Sequence, residues 1–156
     1  MKLFIVSLLS CLHLFAATLS VNGEVQQTLH FDKESFAKLP HTTLSDVAVV
    51  CASGQTKQAA QKKSGVLLIQ LIQNAHIDIK SKKKLNQVVV LATAMDDYAV
   101  AFSYNELFNT DIGNAVIVVY ENEGFSLYSK KDFLTGSRHV YALENIQVRM
   151  IQKNSY

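Results

Sequence analysis

The chain contains few of the residues that mark several common classes of domain. Its 156 residues include one proline, two cysteines, six glycines and no tryptophan. Cys11 lies in the first apolar run, so the rest of the chain holds only Cys51 and cannot form an internal disulfide. No glycine-rich sequence follows an apolar strand, which argues against a doubly wound dinucleotide-binding unit.

Charge is also sparse. Charged residues make up 18% of the chain and the formal net charge is +2, which gives no electrostatic case for nucleic acid as a partner. The one dense basic run, residues 80–84, is predicted to be a solvated loop. A hydrophobic content of 49% is instead typical of one globular domain with a real core.

The N-terminus has the pattern of an export signal. Lys2 precedes an apolar stretch that continues to Ala17, and small residues follow at Thr18 and Ser20. The apolar stretch is short for a membrane span. We therefore predict a signal peptide over residues 1–18, with cleavage between residues 17 and 20, and one domain over residues 19–156. The protein should be exported, periplasmic or secreted, and soluble after the signal peptide is removed.

Apolar patterning predicts a fold rich in strands. Extended chain or strands are expected over residues 18–31, 42–52, 87–94, 100–102, 115–120, 125–128 and 139–151. Residues 53–64 are polar and should form a loop or a hairpin tip, and residues 130–138 should form a polar loop. Three helices are predicted: one capped by Asp32 and ended by Pro40, one over residues 65–74 capped by Ser64, and one begun by a capping box at Ser103. The fold class is therefore α+β, mainly β, with short inserted helices.

Catalytic sequence motifs are missing. The chain has no G-x-S-x-G, H-E-x-x-H or C-x-x-C sequence. Four histidines lie beyond the leader, but none has another at helical ligand spacing, so a zinc site is not predicted. Asp96 and Asp97 are adjacent and are better read as a turn than as an acid/base pair.

Two features could bind a ligand. Cys51 ends a predicted buried strand, where it is either a core residue or a thiolate ligand or reactive thiol. The stretch from Lys130 to His139 holds three cations, two hydroxyls and a glycine, which suit a phosphate or a polar heterocycle. The alternative is an exposed basic loop.

The order of several segments resembles the sulfite-oxidase-type molybdopterin-binding domain, in its short, exported, single-domain branch. The segments are 19–25, 36–40, 64–68, 94–98, 102–107 and 138–146. The resemblance implies a truncated, single-domain form of this fold with a pterin-type pocket. It places Cys51 close to the cysteine that ligates molybdenum, and matches Lys131 and Arg138 to the cations that hold the cofactor's phosphate.

Three functions remain open at this point. The leading one is an exported, non-catalytic protein that binds a pterin or molybdopterin-type ligand and signals to a membrane-bound partner. Its predicted site consists of Lys131, Ser137 and Arg138, with Cys51 and His41 nearby. The first alternative is a molybdenum-cofactor oxidoreductase with Cys51 as metal ligand and a redox partner. The second is a ligand-free interaction domain.

Overall fold

A computed structural model describes residues 17–151. Most of the predicted signal peptide, residues 1–16, lies outside the described residues. The strands, in chain order, are β1 Leu19–Gly23, β2 Leu29–Phe31, β3 Thr42–Val50, β4 Thr56–Leu67, β5 Val88–Ala94, β6 Ala99–Ser103, β7 Val116–Glu121, β8 Gly124–Ser129 and β9 Leu143–Met150. The helices are α1 Lys33–Ala37, α2 Leu68–Ala75, α3 Lys82–Leu85 and α4 Tyr104–Phe108.

The strands form two sheets. One has the order β2-β1-β9-β5-β6, and the pairing of β1 with β9 is parallel, with Ser20 opposite Asn145. The other has the order β3-β4-β7-β8 and is antiparallel throughout. An isolated bridge between Leu127 and Val140 links the second sheet to the segment that leads into β9. This mainly β architecture confirms the predicted fold class.

The main core lies between the sheets and includes α2. Alternate residues of β5, Val88, Val90 and Ala92, are buried, as expected for a strand with one face on a core. Helix α2 contributes Leu68, Leu71, Ile72 and Ala75 to the same cluster. A second, smaller cluster lies on the other face of β7 and β8 and contains Val47, Val49, Ile117, Val119 and Tyr128.

Two of the three predicted helix caps, Asp32 and Ser103, are present, whereas Ser64 lies within β4 and caps no helix. Asp32 caps α1 and accepts from the Ser35 backbone N–H at 2.8 Å. Ser103 caps α4, and Glu106 completes the capping box by accepting from the Ser103 N–H at 3.3 Å. These motifs are local, so the sequence alone determines them.

The prediction for residues 53–67 was wrong. Residues 56–67 form β4, which pairs antiparallel with β3, so that only the residues between Val50 and Thr56 form the hairpin tip and no helix starts at Gly65. Much of β4 is exposed, so it lacks the apolar alternation that marks a strand. At Gly65 the backbone passes so close to Val118 that an added Cβ would lie 2.1 Å from its carbonyl oxygen. The helix consequently begins three residues later, at Leu68.

Three smaller predictions also changed. The final strand spans Leu143–Met150, and Val140 contributes only the isolated bridge. Part of the lysine-rich run forms the short helix α3 rather than a loop. Within 130–138, residues Thr135–Arg138 form one short helical turn.

Candidate functional site

The turn Thr135–Arg138 is fastened to the end of β3. The Thr135 hydroxyl donates to the Ala48 carbonyl at 2.7 Å and accepts from the Val50 N–H at 2.9 Å. Gly136 lies against the same strand, where an added Cβ would be 2.7 Å from the Val50 carbonyl oxygen. These contacts satisfy backbone groups that β3 does not pair with another strand, and they bring the turn beside Cys51.

A cavity of about 310 Å³ opens between the turn and the end of β3. It is lined by Val49, Cys51, Ala52, Lys57, Gly136, Ser137 and His139. We call it the Cys51–Ser137 cavity. Its volume is at the lower end of the range for small-molecule sites, so it suits a ligand of one or two fused rings better than a large cofactor. Its polar lining offers a thiol, an ammonium group, a hydroxyl and an imidazole.

Two of the five predicted site residues line this cavity. Cys51 is partly exposed and directly follows β3, and Ser137 lies on the helical turn that lines the same cavity. The Ser137 carbonyl accepts from the Tyr98 hydroxyl at 2.8 Å, which ties the turn to the β5–β6 connection. Two residues that are distant in the sequence and were grouped by prediction thus line the same cavity.

The other three predicted residues lie elsewhere or are engaged within the chain. His41 packs edge-on against the Phe36 ring, with centroids 5.7 Å apart, and does not line the cavity. The Lys131 ammonium lies 3.8 Å from the Asp111 carboxylate, and both side chains are largely exposed. Such an exposed pair contributes little to stability.

Arg138 is held by two carboxylates. Its guanidinium donates through Nε and Nη2 to the Asp132 carboxylate, and through Nη1 to Glu106 at 2.6 Å. The group also lies over the Phe102 ring, 4.5 Å from its centroid. Burial alone would lower the pKa of Arg138, but the bonds to Asp132 and Glu106 outweigh it and raise the pKa. Arg138 would have to leave a carboxylate to bind a phosphate.

Sequence reasoning missed Lys57 and His139 as lining residues. Lys57 belongs to β4, which was predicted as a loop, and no local pattern singles it out among its polar neighbours. His139 was placed at the start of a strand. Its Nδ1 lies 3.0 Å from the Leu127 carbonyl, and its ring stacks on Tyr128 with centroids 4.5 Å apart.

A partly buried ion pair lies behind that stack. The Lys63 ammonium is 2.6 Å from the Glu121 carboxylate and 4.8 Å from the centroid of the Tyr128 ring. The Tyr128 hydroxyl donates to the other oxygen of Glu121. Burial would raise the pKa of Glu121, but hydrogen bonds from Lys63 and Tyr128 outweigh it and lower the pKa. Burial and the bond to Glu121 raise the pKa of Tyr128.

A second cavity, of about 420 Å³, lies where the described chain begins. Ala17 and Thr18 line it together with the β7–β8 turn and residues 141–144. Met95 and Tyr141, which also line it, are among the most exposed large apolar side chains of the described residues. Glu123 and Glu144 add carboxylates to its wall.

Neither a metal centre nor a membrane span is found in the part of the chain that the structure describes. No group of three or more His, Cys, Asp or Glu side chains is arranged to hold a metal among residues 17–151. Over the same residues, no helix is long and apolar enough to cross a membrane.

Comparison with known proteins gives a likeness of fold. No protein-family model matches the chain, and no curated protein does either. Among solved structures, the crystal structure of the sulfane dehydrogenase SoxCD from Paracoccus pantotrophus superposes with a TM-score of 0.63 at 15% sequence identity. The match covers 85% of this chain but only 38% of that one. The chain thus has a fold distantly like that of sulfite-oxidase-type proteins, and spans well under half of the similar chain.

Proposed function

We propose that this protein binds a small, polar, pterin-type heterocycle in the Cys51–Ser137 cavity and works after export from the cytoplasm. The observation that carries the proposal is the meeting of Cys51 and Ser137, from distant parts of the sequence, in one cavity with Lys57 and His139. A fused ring with amide and amino edges would find hydrogen-bonding groups there and an imidazole beside it.

The same residues fit a complete molybdenum cofactor poorly. Such a cofactor is large and carries a phosphate, whereas Lys57 supplies the only cationic side chain among the lining residues. Arg138 is already bound to Asp132 and Glu106. Cys51 could offer one thiolate to the metal, but that ligand alone does not supply the missing space or phosphate contacts. We therefore derive no redox step for the oxidoreductase alternative.

The ligand-free interaction domain is the second candidate, and one observation favours it. Both cations that the resemblance assigned to a phosphate, Lys131 and Arg138, lie beside carboxylates of this chain. A domain that kept the fold but lost the ligand would show this internal pairing. The membrane-bound signalling partner is part of the pterin-binding proposal only. A protein that binds a pterin without catalysis would need a second protein that responds to the bound state.

The test is a titration of the purified chain, residues 19–156, with neopterin. Binding is measured as a change in the fluorescence of neopterin. We expect saturable binding by the wild type. Lys57→Gln should weaken it about tenfold or more, because a hydrogen bond to a charged group is worth roughly 1.5–3 kcal/mol. Lys62→Gln, at an exposed position of the same strand, should bind like the wild type.

A glycine pair tests the cavity itself. Gly136→Ala puts a methyl group 2.7 Å from the Val50 carbonyl, so the turn must shift and the cavity must change shape. Gly124→Ala meets nothing within 4 Å and serves as the matched control. Loss of binding in the first and not the second supports the site. Absence of neopterin binding in the wild type, together with no pterin in extracts of protein from a pterin-producing host, would favour the ligand-free domain.

A further inference from the structure

The cavity of about 420 Å³ beside the β7–β8 turn has apolar walls that solvent still reaches. We call it the Met95–Glu144 cavity. Phe125 and Leu143 line it and belong to the main core, so that part of the wall is close-packed. Met95 and Tyr141 also line it, yet they are 72% and 62% exposed. Two large apolar side chains so exposed at one cavity mark a surface that a ligand or a partner would cover.

The backbone holds these two exposed side chains in place without a ligand. The Met95 N–H donates to the Ala142 carbonyl at 3.0 Å, directly beyond the pairing of Ala94 with Leu143 between β5 and β9. Ala142 has a φ of 50°, in the left-handed region that alanine rarely adopts. Such a conformation persists only where its surroundings enforce it, so this part of the cavity wall is already ordered.

The charged groups of this cavity are all of one sign. Glu121, Glu123 and Glu144 line it, and no lysine, arginine or histidine does. Glu121 is paired with Lys63, whose side chain does not line the cavity. Among the residues that the structure describes, neither Glu123 nor Glu144 belongs to an ion pair. The cavity therefore carries negative charge that the chain itself does not neutralise, and this charge favours a cationic occupant.

The spacing of the carboxylates and the apolar walls favour an organic cation over a metal ion. Within residues 17–151, no three acidic, cysteine or histidine side chains are close enough together to hold a metal ion, so these carboxylates surround a larger space. A volume of about 420 Å³ lies within the range for small-molecule sites. Phe125 and Tyr141 supply two aromatic rings, and ammonium groups are attracted to the faces of such rings. An ammonium group on an apolar body matches both kinds of wall.

We propose that the Met95–Glu144 cavity binds a small organic cation, a protonated amine carried on an apolar group about the size of one aromatic ring. The apolar group lies against Met95 and Tyr141, and the ammonium group faces Glu123 and Glu144. The site is separate from the Cys51–Ser137 cavity, because the two cavities share no lining residue. All the side chains that recognise the amine lie between residues 95 and 144, well inside the predicted domain.

The test compares three ligands of similar size and different charge. Phenethylamine is a cation at neutral pH, hydrocinnamate is an anion, and phenethyl alcohol is neutral. Each is titrated into the purified protein, and the backbone amide signals are followed by NMR. Phenethylamine should bind saturably, with a dissociation constant of about 1 mM or lower, and should shift the signals of residues 95, 122–126 and 141–144. The alcohol should bind more weakly and the anion not measurably. No saturable shift with phenethylamine, or equal affinity for hydrocinnamate, overturns the proposal.

Matched variants test the charges and the ring separately. Glu144→Gln should weaken phenethylamine binding about threefold, and adding Glu123→Gln should bring the loss to about tenfold, because each partly solvated charge contributes modestly. Glu24→Gln makes the same change in net charge at an exposed residue outside the cavity and should bind like the wild type. Tyr141→Ser should weaken binding, whereas Phe133→Ser, which removes an exposed ring outside the cavity, should not. Unchanged affinity in the double glutamine variant would contradict the assignment.

Two further measurements address other occupants of this face. Analytical ultracentrifugation should show a monomer, and a dimer that Tyr141→Ser dissociates would mean that a second copy of the chain covers the cavity, which overturns the proposal. Neopterin should leave the affinity for phenethylamine unchanged, whereas its displacement of the amine would assign one cavity to both ligands and also overturn it. Because the amine titration needs no neopterin, failure here is separable from failure of the pterin-binding proposal.

Discussion

The rings of Tyr128 and His139 stack with their centroids 4.5 Å apart and their planes inclined by 25°. His139 lines the Cys51–Ser137 cavity, whereas the Tyr128 hydroxyl donates to Glu121 on the far side of the ring. The Tyr128 side chain thus connects the cavity wall to the partly buried pair of Lys63 and Glu121. The stability of this wall should depend on charges that a ligand never touches.

Removing the Lys63 ammonium should destabilise the protein strongly. The Lys63→Met variant keeps most of the stem volume but leaves the Glu121 carboxylate, whose side chain is 20% exposed, without its cation. We expect a loss of about 2–3 kcal/mol in the free energy of unfolding, somewhat below the cost for a fully buried pair. Urea titration measures it, and Lys62→Met, on the exposed part of β4, is the control.

A double-variant cycle separates the pair from its surroundings. Glu121→Gln should also destabilise, but Lys63→Met combined with Glu121→Gln should cost at least about 1 kcal/mol less than the sum of the single changes. Additive losses would mean that the two charges do not interact appreciably.

The Glu121 carboxylate should also make stability depend on acid pH. Its pKa is lowered in the folded state, because the bonds from Lys63 and Tyr128 outweigh the effect of burial. The stabilisation is therefore fully present above the pKa of an unfolded-chain glutamate, about 4.3. It is lost as the pH falls below that value and through the lower pKa of the folded state.

Urea titrations between pH 7 and pH 3 test this sign. Glu121→Gln should be less stable than the wild type at pH 7, and the difference should shrink as the pH falls. A constant difference across the range would show that ionisation of Glu121 does not contribute.

The sequence predicted those parts of the fold that depend on local patterns. Asp32 and Ser103 cap helices through side chains only three residues from their partners, and β5 alternates because one of its faces is buried. Strand β4 was not predicted, because it is fixed by pairing with β3 and its exposed residues show no alternation of apolar and polar side chains. Lys57 was missed for the same reason.

The candidate site was predictable in part. Cys51 and Ser137 were singled out by residue type and neighbouring loops, and they meet because Thr135 and Gly136 fit against β3. The sequence did not predict that Arg138 and Lys131 would pair with carboxylates of the same chain. Asp132 and Glu106 approach Arg138 only once α4 and the 130–138 segment fold together, so the competition for this cation is a tertiary effect.

Thr135 should stabilise the turn through its hydroxyl. Thr135→Val preserves the branched shape but leaves the Ala48 carbonyl and the Val50 N–H without their partner. We expect a loss of about 1–3 kcal/mol, because two partly buried backbone groups lose a hydrogen bond. Thr43→Val is the control, because Thr43 is exposed on β3 and its hydroxyl makes only a 3.4 Å contact with the Ser64 hydroxyl; this change should cost much less. Equal costs would exclude a special role for the Thr135 hydroxyl.

Arg138 should prove essential to the folded 130–138 segment even in the absence of any ligand. Arg138→Lys keeps the charge, but an ammonium group cannot bond Asp132 in a fork while reaching Glu106, and it covers Phe102 less well. We expect the free energy of unfolding to fall by about 1–3 kcal/mol, whereas Arg149→Lys, at an exposed position of β9, should change little. Hydrogen exchange of the Ser137 and His139 amides should accelerate in the first variant, because their turn loses its anchor. If Arg138→Lys leaves stability and exchange unchanged but abolishes neopterin binding, the guanidinium serves the ligand and not the fold.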